Sequence, residues 1–219
     1  VTDFWGPDWQ QRAAVFLPDS QDELTALVGP DFAGGEIAAV AIADDIDRAQ
    51  GVARGQRVVF NPATINQLTA LSRRVVLRHE LTHVAARART VPQAPMWLAE
   101  GFADYSGYRN SGVSLADGAP AVAALVRTAG PPDSLPTDAQ FAAGASPARV
   151  ELAYQLAWTF SDFLATVKGE PILRAVYLAV AALPAPSATD IDAALQGVVG
   201  VDLATLVHEW GHWLQDTLR

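Results

Sequence analysis

The pattern of apolar residues changes at Pro62, and this change limits the folds that the chain can adopt. Before Pro62 the apolar runs have the length of strands, namely Ala13 to Leu17, Ile37 to Ala43 and Arg57 to Phe60. Ser20 and Glu23 have the spacing of a capping box, which predicts a helix after the first run. We therefore expect residues 1–61 to form a small sheet of roughly three strands.

After Pro62 the apolar residues recur with the period of helices. Breaker residues separate the predicted helices, which cover 63–70, 72–89, 94–109, 120–128, 148–167, 171–182, 188–196 and 201–218. A sheet followed by many helices predicts an α+β fold. We expect one domain over 1–219, in which 1–110 carry the sheet and the first long helices and 111–219 form a mostly helical lobe.

The composition narrows the possible chemistry. The formal net charge of -9 argues against nucleic acid or an anionic membrane surface as a partner. The chain has no cysteine, which excludes disulfides, thiolate metal sites and thiol nucleophiles. No stretch approaches the roughly 18–20 uninterrupted apolar residues of a membrane-spanning helix. Any transition-metal site must therefore combine carboxylates with the 4 histidines of the chain.

Residues 79–83 read His-Glu-Leu-Thr-His within a predicted helix. Residues four apart lie on one face of a helix, so His79 and His83 can both reach a single metal ion. Glu80 follows His79 and is placed to act as the general base that activates water. The alternative is a pair of surface histidines and a glutamate on an ordinary amphipathic helix.

The sequence around residue 100 favours the metal site over that alternative. Residues 95–105 read Pro-Met-Trp-Leu-Ala-Glu-Gly-Phe-Ala-Asp-Tyr and place Glu100 in the next predicted helix. Catalytic zinc uses three protein ligands and keeps one position open. His79, His83 and Glu100 supply that number, provided that a turn near 90–95 joins the two helices. The sequence therefore predicts Zn2+ as the cofactor.

Together, HELTH and MWLAEGFADY resemble the motifs of the gluzincin metallopeptidases, whose third zinc ligand is a glutamate. The resemblance looks closest to the small bacterial peptidase-MA-like domains. The second segment is also similar to the WLxEGxAxY signature of zinc aminopeptidases, although the spacer before Glu100 is shorter here. Residues 57–110 carry most of the resemblance. It implies a zincin-like fold, in which the N-terminal sheet lies over the active-site helix.

The resemblance also implies roles for two further residues. Asp104, four residues after Glu100, resembles the aspartate of thermolysin-like gluzincins that accepts a hydrogen bond from a ligand imidazole. Tyr154 resembles the family's tyrosine that stabilises the oxyanion of the reaction. An ordinary exposed acid at 104 and a core or rim tyrosine at 154 are the alternatives. Tyr105 and Tyr108 are weaker oxyanion candidates, and Tyr105 is expected to pack between helices.

Residues 208–212 also fit the pattern His-Glu-x-x-His, but we predict no second zinc protease site there. Only Trp213 to Arg219 follow in this sequence, and we expect no third ligand from them. Gly211 is also unfavourable inside a helix. We expect a structural helix whose tryptophans and leucines dock on the core and whose histidines are exposed or at the rim. The alternative is that His208 or His212 reaches the active site as an oxyanion partner.

These observations predict a zinc metallopeptidase that acts on a peptide or protein substrate, with Glu80 as general base and Tyr154 polarising the scissile carbonyl. An edge strand, either Arg57 to Phe60 or Ile37 to Ala43, is expected to pair with an extended substrate. Endopeptidase and exopeptidase action both stay open. The alternatives are a zinc-binding scaffold domain of the cell envelope without turnover, and a non-enzymatic protein that has lost its metal. We expect a monomer, and the resemblance implies a secreted or cell-envelope location.

Overall fold

The protein has the α+β fold that the sequence predicts, with a few short strands followed mostly by helices. A computed structural model describes residues 1–30, 37–142 and 144–219. The strands are β1 (Ala14–Phe16), β2 (Ala39–Ile42), β3 (Asp45–Asp47), β4 (Val52–Arg54) and β5 (Arg57–Phe60).

The helices account for most of the rest of the described chain. They are α1 (Thr2–Trp5), α2 (Gln21–Val28), α3 (Pro62–Ile65), α4 (Ala70–Ala86), α5 (Met96–Tyr108), α6 (Leu115–Gly118), α7 (Pro120–Ala129), α8 (Asp138–Phe141), α9 (Pro147–Phe163), α10 (Glu170–Ala181), α11 (Ala188–Val199) and α12 (Leu203–Thr217). A 3-10 turn, Arg87–Arg89, continues α4, and a π-helical segment, Leu164–Lys168, continues α9.

The chain divides into two compact units. The first comprises Val1–Arg89 and Ser106–Ser111, and the second comprises Thr90–Tyr105 and Gly112–Arg219. Helix α5 thus starts in the second unit, while its last three residues belong to the first. The predicted single domain, divided at 110/111, stays a prediction.

The sheet of the first unit has the strand order β1-β5-β2. Strand β1 runs parallel to β5, and β2 runs antiparallel to it. Because β5 is paired on both sides, the prediction that Arg57 to Phe60 could be an edge strand is wrong. Its side chains explain the central position, since Val58, Val59 and Phe60 are all buried. Among the described strands of this sheet, β2 and β1 form the two edges.

Helices cover both faces of this sheet. On one face, Val58 and Phe60 of β5 and Ala41 of β2 pack in a cluster with Val84 of α4. On the other face, Val59 packs against Leu24 and Val28 of α2. The alternation of side chains along β5 therefore puts α4, which carries the HELTH segment, directly against the sheet. The apolar side chains on the side of α4 that faces the sheet are buried, and this burial holds the helix in place.

The predicted helix over 63–70 is shorter in the structure, where α3 ends at Ile65. The side chain of Thr69 caps α4 by accepting a hydrogen bond from the backbone N–H of Ser72. A capping residue needs an extended backbone, and Thr69 has φ -66° and ψ 165°. A helix through residue 70 would remove this cap, so the chain breaks before Thr69 and restarts at Ala70.

The second unit is built from helices that bury aromatic side chains. Phe102 of α5 stacks against Tyr177 of α10, and Phe160 of α9 contacts Trp97 and Trp210 edge to face. Within the described ranges no single helix is long and apolar enough to cross a membrane, although α11 and α12 meet those criteria as a pair bent by 67°.

Asp162 of α9 gives the stability of the fold a specific pH dependence. Burial raises the pKa of this carboxyl from its ordinary value of 3.8 to about 6. As the pH rises from 4 to 6, the unfolded chain releases this proton while the folded protein retains it. The free energy of unfolding therefore falls over this range. Above pH 6 the buried carboxylate is ionised, and the decrease in the free energy of unfolding reaches its full size of about 2–3 kcal/mol.

We expect Asp162→Asn to raise the free energy of unfolding at pH 7.5 by up to about 2–3 kcal/mol, because the amide carries no charge to bury. The gain should shrink towards zero at pH 4, where the wild-type carboxyl is protonated. Urea unfolding at both pH values measures the difference. Asp216→Asn, at an exposed residue of α12, is the control and should change stability by less than about 0.5 kcal/mol. Equal stability of Asp162→Asn and the wild type at pH 7.5 would contradict this account.

Candidate metal centre

Helix α4 brings the two histidines of the HELTH segment together. Their spacing of four residues puts both rings on one face, and their Nε2 atoms lie 3.0 Å apart. The ring centroids are 4.7 Å apart and the ring planes meet at 76°. Both side chains are half-buried. The two Nε2 atoms therefore lie close enough together to reach a single metal ion.

The C-terminal end of α5 is fixed to α4 within the first unit. The buried hydroxyl of Thr82 donates a hydrogen bond to the Ser106 hydroxyl over 2.7 Å. A Cβ atom at Gly107 would lie only 2.9 Å from the carbonyl oxygen of Val75, so a glycine permits this close approach of the two helices. Arg78 donates to the backbone carbonyl of Arg109 just beyond the end of α5. These contacts hold the C-terminal end of α5 against α4.

His79, His83 and Glu100 form one group that could hold a metal ion. One ligand atom from each residue lies within 4.8 Å of the others, and all three side chains are half-buried. In the described part of the chain this is the only such group of three or more histidine or acidic side chains. The structure thus brings together the three residues that the sequence selected.

The donor set of this group fits zinc. Two imidazole nitrogens and one carboxylate oxygen are the ligands of a catalytic zinc site with an open fourth position. Two zinc–nitrogen bonds of about 2.0–2.1 Å at a tetrahedral angle would separate the nitrogens by about 3.3–3.4 Å. The observed 3.0 Å between the Nε2 atoms of His79 and His83 is close to that separation. The identity of the metal stays a prediction.

Glu80 lies on α4 next to the first of the two histidines and is 8% exposed. Carboxylates are rarely buried to this extent without a partner, and Glu80 takes part in at least one polar or electrostatic interaction. Its burial removes the competing bulk water that would weaken its interactions. Its assignment as general base stays a prediction.

The other predicted site residues have distinct surroundings. Asp104 is half-buried on α5, one helical turn after Glu100. Tyr154 is half-buried on α9, and its ring contacts Phe141 of α8 edge to face at 5.1 Å. The roles of both residues stay predictions. Tyr105 is buried and donates a hydrogen bond to Glu170 over 2.7 Å, which confirms that it packs between helices.

Sequence reasoning missed the residues that hold these helices in place. The Thr82–Ser106 hydrogen bond joins α4 to α5, but neither residue belongs to a recognisable long-range pattern. Gln155, beside Tyr154, accepts hydrogen bonds from the backbone N–H groups of Ala121 and Val122. It thereby caps α7, which has no side-chain cap of its own. A glutamine in mid-helix gives no sequence signal for this long-range function.

The second His-Glu-x-x-His segment lies on α12, and the structure confirms its structural interpretation. Trp210, Gly211 and Leu214 are buried, whereas His208 and His212 are exposed. Glu209 forms an ion pair with Lys168, with 2.8 Å between Oε2 and Nζ. No acidic or histidine side chain of the described residues joins this pair to make a group of three.

Comparison with known families supports a metal-binding interpretation of the first unit. Residues 19–91 match the eCIS core domain. That domain is zincin-like and related to metallopeptidases. The match covers about a third of the chain and includes β2, β5, α4 and the histidines His79 and His83. It begins after β1 and ends before Glu100. The family match therefore does not test the third ligand, which is supported by the sequence around Glu100 and by the geometry of the group. Neither the curated proteins nor the solved structures include a significant match to this chain.

Proposed function

We propose that this protein is a zinc-dependent metallopeptidase that hydrolyses peptide bonds in a peptide or protein substrate. The observation that carries the proposal is the convergence of His79, His83 and Glu100, whose ligand atoms lie within 4.8 Å of one another beside the buried Glu80. A surface pair of histidines on an amphipathic helix would not be joined by a carboxylate from a second helix. The match of residues 19–91 to a zincin-like domain supports the same assignment.

The mechanism assigns binding and proton transfer to separate side chains. His79, His83 and Glu100 would hold zinc, which supplies a Lewis acid and lowers the pKa of a water molecule. The carboxylate of Glu80 accepts a proton from the attacking water. It then delivers that proton to the nitrogen of the leaving amine, so that it ends the cycle ionised again. Its burial keeps this proton from exchanging with bulk solvent during the reaction.

Two further side chains are proposed to assist. The Nε2 atoms of His79 and His83 face each other, which leaves each Nδ1–H for an outer hydrogen-bond partner. Asp104 is proposed to accept one of these bonds and hold the imidazole in its ligand tautomer. The Tyr154 hydroxyl is proposed to donate a hydrogen bond to the oxygen of the scissile carbonyl as negative charge develops there. Secretion or a cell-envelope location and the monomeric state stay predictions.

Removal and return of zinc tests this function. We expect the zinc-loaded protein to hydrolyse fluorescein-labelled casein, and 1,10-phenanthroline to abolish that activity because the three ligands lose their ion. Dialysis followed by addition of Zn2+ should restore it, while Mg2+ and Ca2+ should not, since these ions prefer all-oxygen ligand sets. Hydrolysis that resists the chelator would contradict the proposal. So would the absence of hydrolysis from a protein that retains its zinc, a result that would favour the non-catalytic scaffold.

A further inference from the structure

The exposed face of α12 carries a second pair of histidines with the geometry of the first. His208 and His212 are four residues apart, and their Nε2 atoms lie 3.2 Å apart. Their ring centroids are 4.4 Å apart and the ring planes meet at 82°. For the first pair the corresponding values are 3.0 Å, 4.7 Å and 76°. In both pairs the distance between the two Nε2 atoms is close to the distance between two nitrogen ligands of one metal ion.

Burial on the opposite side of α12 fixes the backbone that carries this pair. Leu206, Trp210 and Leu214 are fully buried, and they fix the helix in the second unit. A Cβ atom at Gly211 would lie 3.1 Å from the side chain of Pro131, so this part of the helix packs closely against the segment that contains Pro131. The backbone that spaces the two imidazoles is therefore ordered before any ion arrives, which lowers the entropic cost of binding.

The residues around this pair differ from those of a catalytic zinc site. Glu209 occupies the position that a general base has in the motif, but it forms an ion pair with Lys168. No third histidine or acidic ligand from the described residues converges on the pair. An ion bound here has two protein ligands and takes water at its remaining positions.

We propose that His208 and His212 form a second, non-catalytic site for a divalent transition-metal ion, with Cu2+ preferred over Ni2+ and Zn2+. Imidazole suits all three ions, and the affinity of nitrogen ligands for them is highest for Cu2+. The site is exposed, so the ion exchanges freely with the medium. The chain therefore has two classes of metal site, of which the half-buried three-ligand group holds its ion more tightly.

Titration of the zinc-loaded protein with Cu2+ tests the site, followed by electron paramagnetic resonance and by a dye that detects released zinc. We expect the wild type to bind about one Cu2+ with nitrogen ligands and without release of zinc. His212→Gln should weaken this binding at least about tenfold, because the second imidazole otherwise binds at high effective concentration. Glu209→Gln should bind Cu2+ as tightly as the wild type.

A matched variant separates chelation from the mere number of histidines. His212→Gln combined with Asp216→His keeps that number but places the two imidazoles eight residues apart, about 12 Å along the helix. We expect this variant to bind Cu2+ as weakly as His212→Gln alone. Binding as tight as in the wild type by either variant would overturn the proposal. Release of one zinc for each Cu2+ bound would also overturn it, since the ion would then occupy the first site.

Discussion

Glu80→Gln will lower the rate of peptide hydrolysis by about 10²–10⁴-fold while the protein retains its zinc. The amide has nearly the shape of the carboxylate but cannot accept the proton of the attacking water. Because Glu80 is not one of the three ligands, the metal content should not change. Hydrolysis of labelled casein and the zinc content of the same sample measure both effects.

The second His-Glu-x-x-His segment supplies the control for this prediction. Glu209→Gln makes the same chemical change at the equivalent position of the other motif. It removes an ion pair with Lys168 that is partly exposed, at a cost of no more than about 1 kcal/mol. Activity should equal that of the wild type. Equal activity of Glu80→Gln and the wild type would contradict the role of Glu80.

Gly101→Ala will destabilise the second unit by about 3 kcal/mol, which corresponds to a Tm lower by about 6–12 °C. A Cβ atom at this position would lie 2.3 Å from the carbonyl oxygen of Ala157 and 2.9 Å from the Ser161 hydroxyl. The first of these is a backbone atom of α9, so relief of the overlap requires α5 and α9 to separate. Because Glu100 is the preceding residue, we also expect weaker zinc binding. Thermal unfolding with and without zinc measures both.

Gly197→Ala is the matched control for this helix substitution. Gly197 is an exposed residue in α11, and a Cβ atom there would meet no atom within 4 Å. Alanine favours a helix interior over glycine, so this variant should be more stable than the wild type by about 0.5–1 kcal/mol. A Gly101→Ala protein as stable as the wild type would show that α5 and α9 are not in close contact at this point.

The features that the sequence predicted well are those with a local signal. The boundaries of the long helices follow from apolar periodicity and from capping residues, as at Ser20, whose hydroxyl accepts the N–H of Glu23. The pairing of His79 and His83 was also predictable, since residues four apart lie on one face of a helix. Glu100 was selected by the sequence that surrounds it, because a catalytic zinc needs a third protein ligand.

The features that the sequence did not predict depend on partners far along the chain. The central position of β5 is set by its pairing with both β1 and β2. The sequence of these four residues does not indicate which strands will pair with them. The hairpin of β3 and β4 is short and largely polar, so it lacks the apolar alternation of a strand. The Thr82–Ser106 hydrogen bond and the close approach at Gly101 likewise exist only once the helices have packed.

The zinc content of the purified protein tests the central claim most directly. It is best measured in a His208→Gln, His212→Gln background, where the second pair cannot contribute, after loading with Zn2+ and dialysis. We predict about one zinc per chain, held by three protein ligands. Adding His79→Ala or Glu100→Ala to this background should lower the content to less than about a tenth of that value, since each removes one of the three ligands. Negligible zinc in the background protein, or the same content with and without these substitutions, would contradict the site.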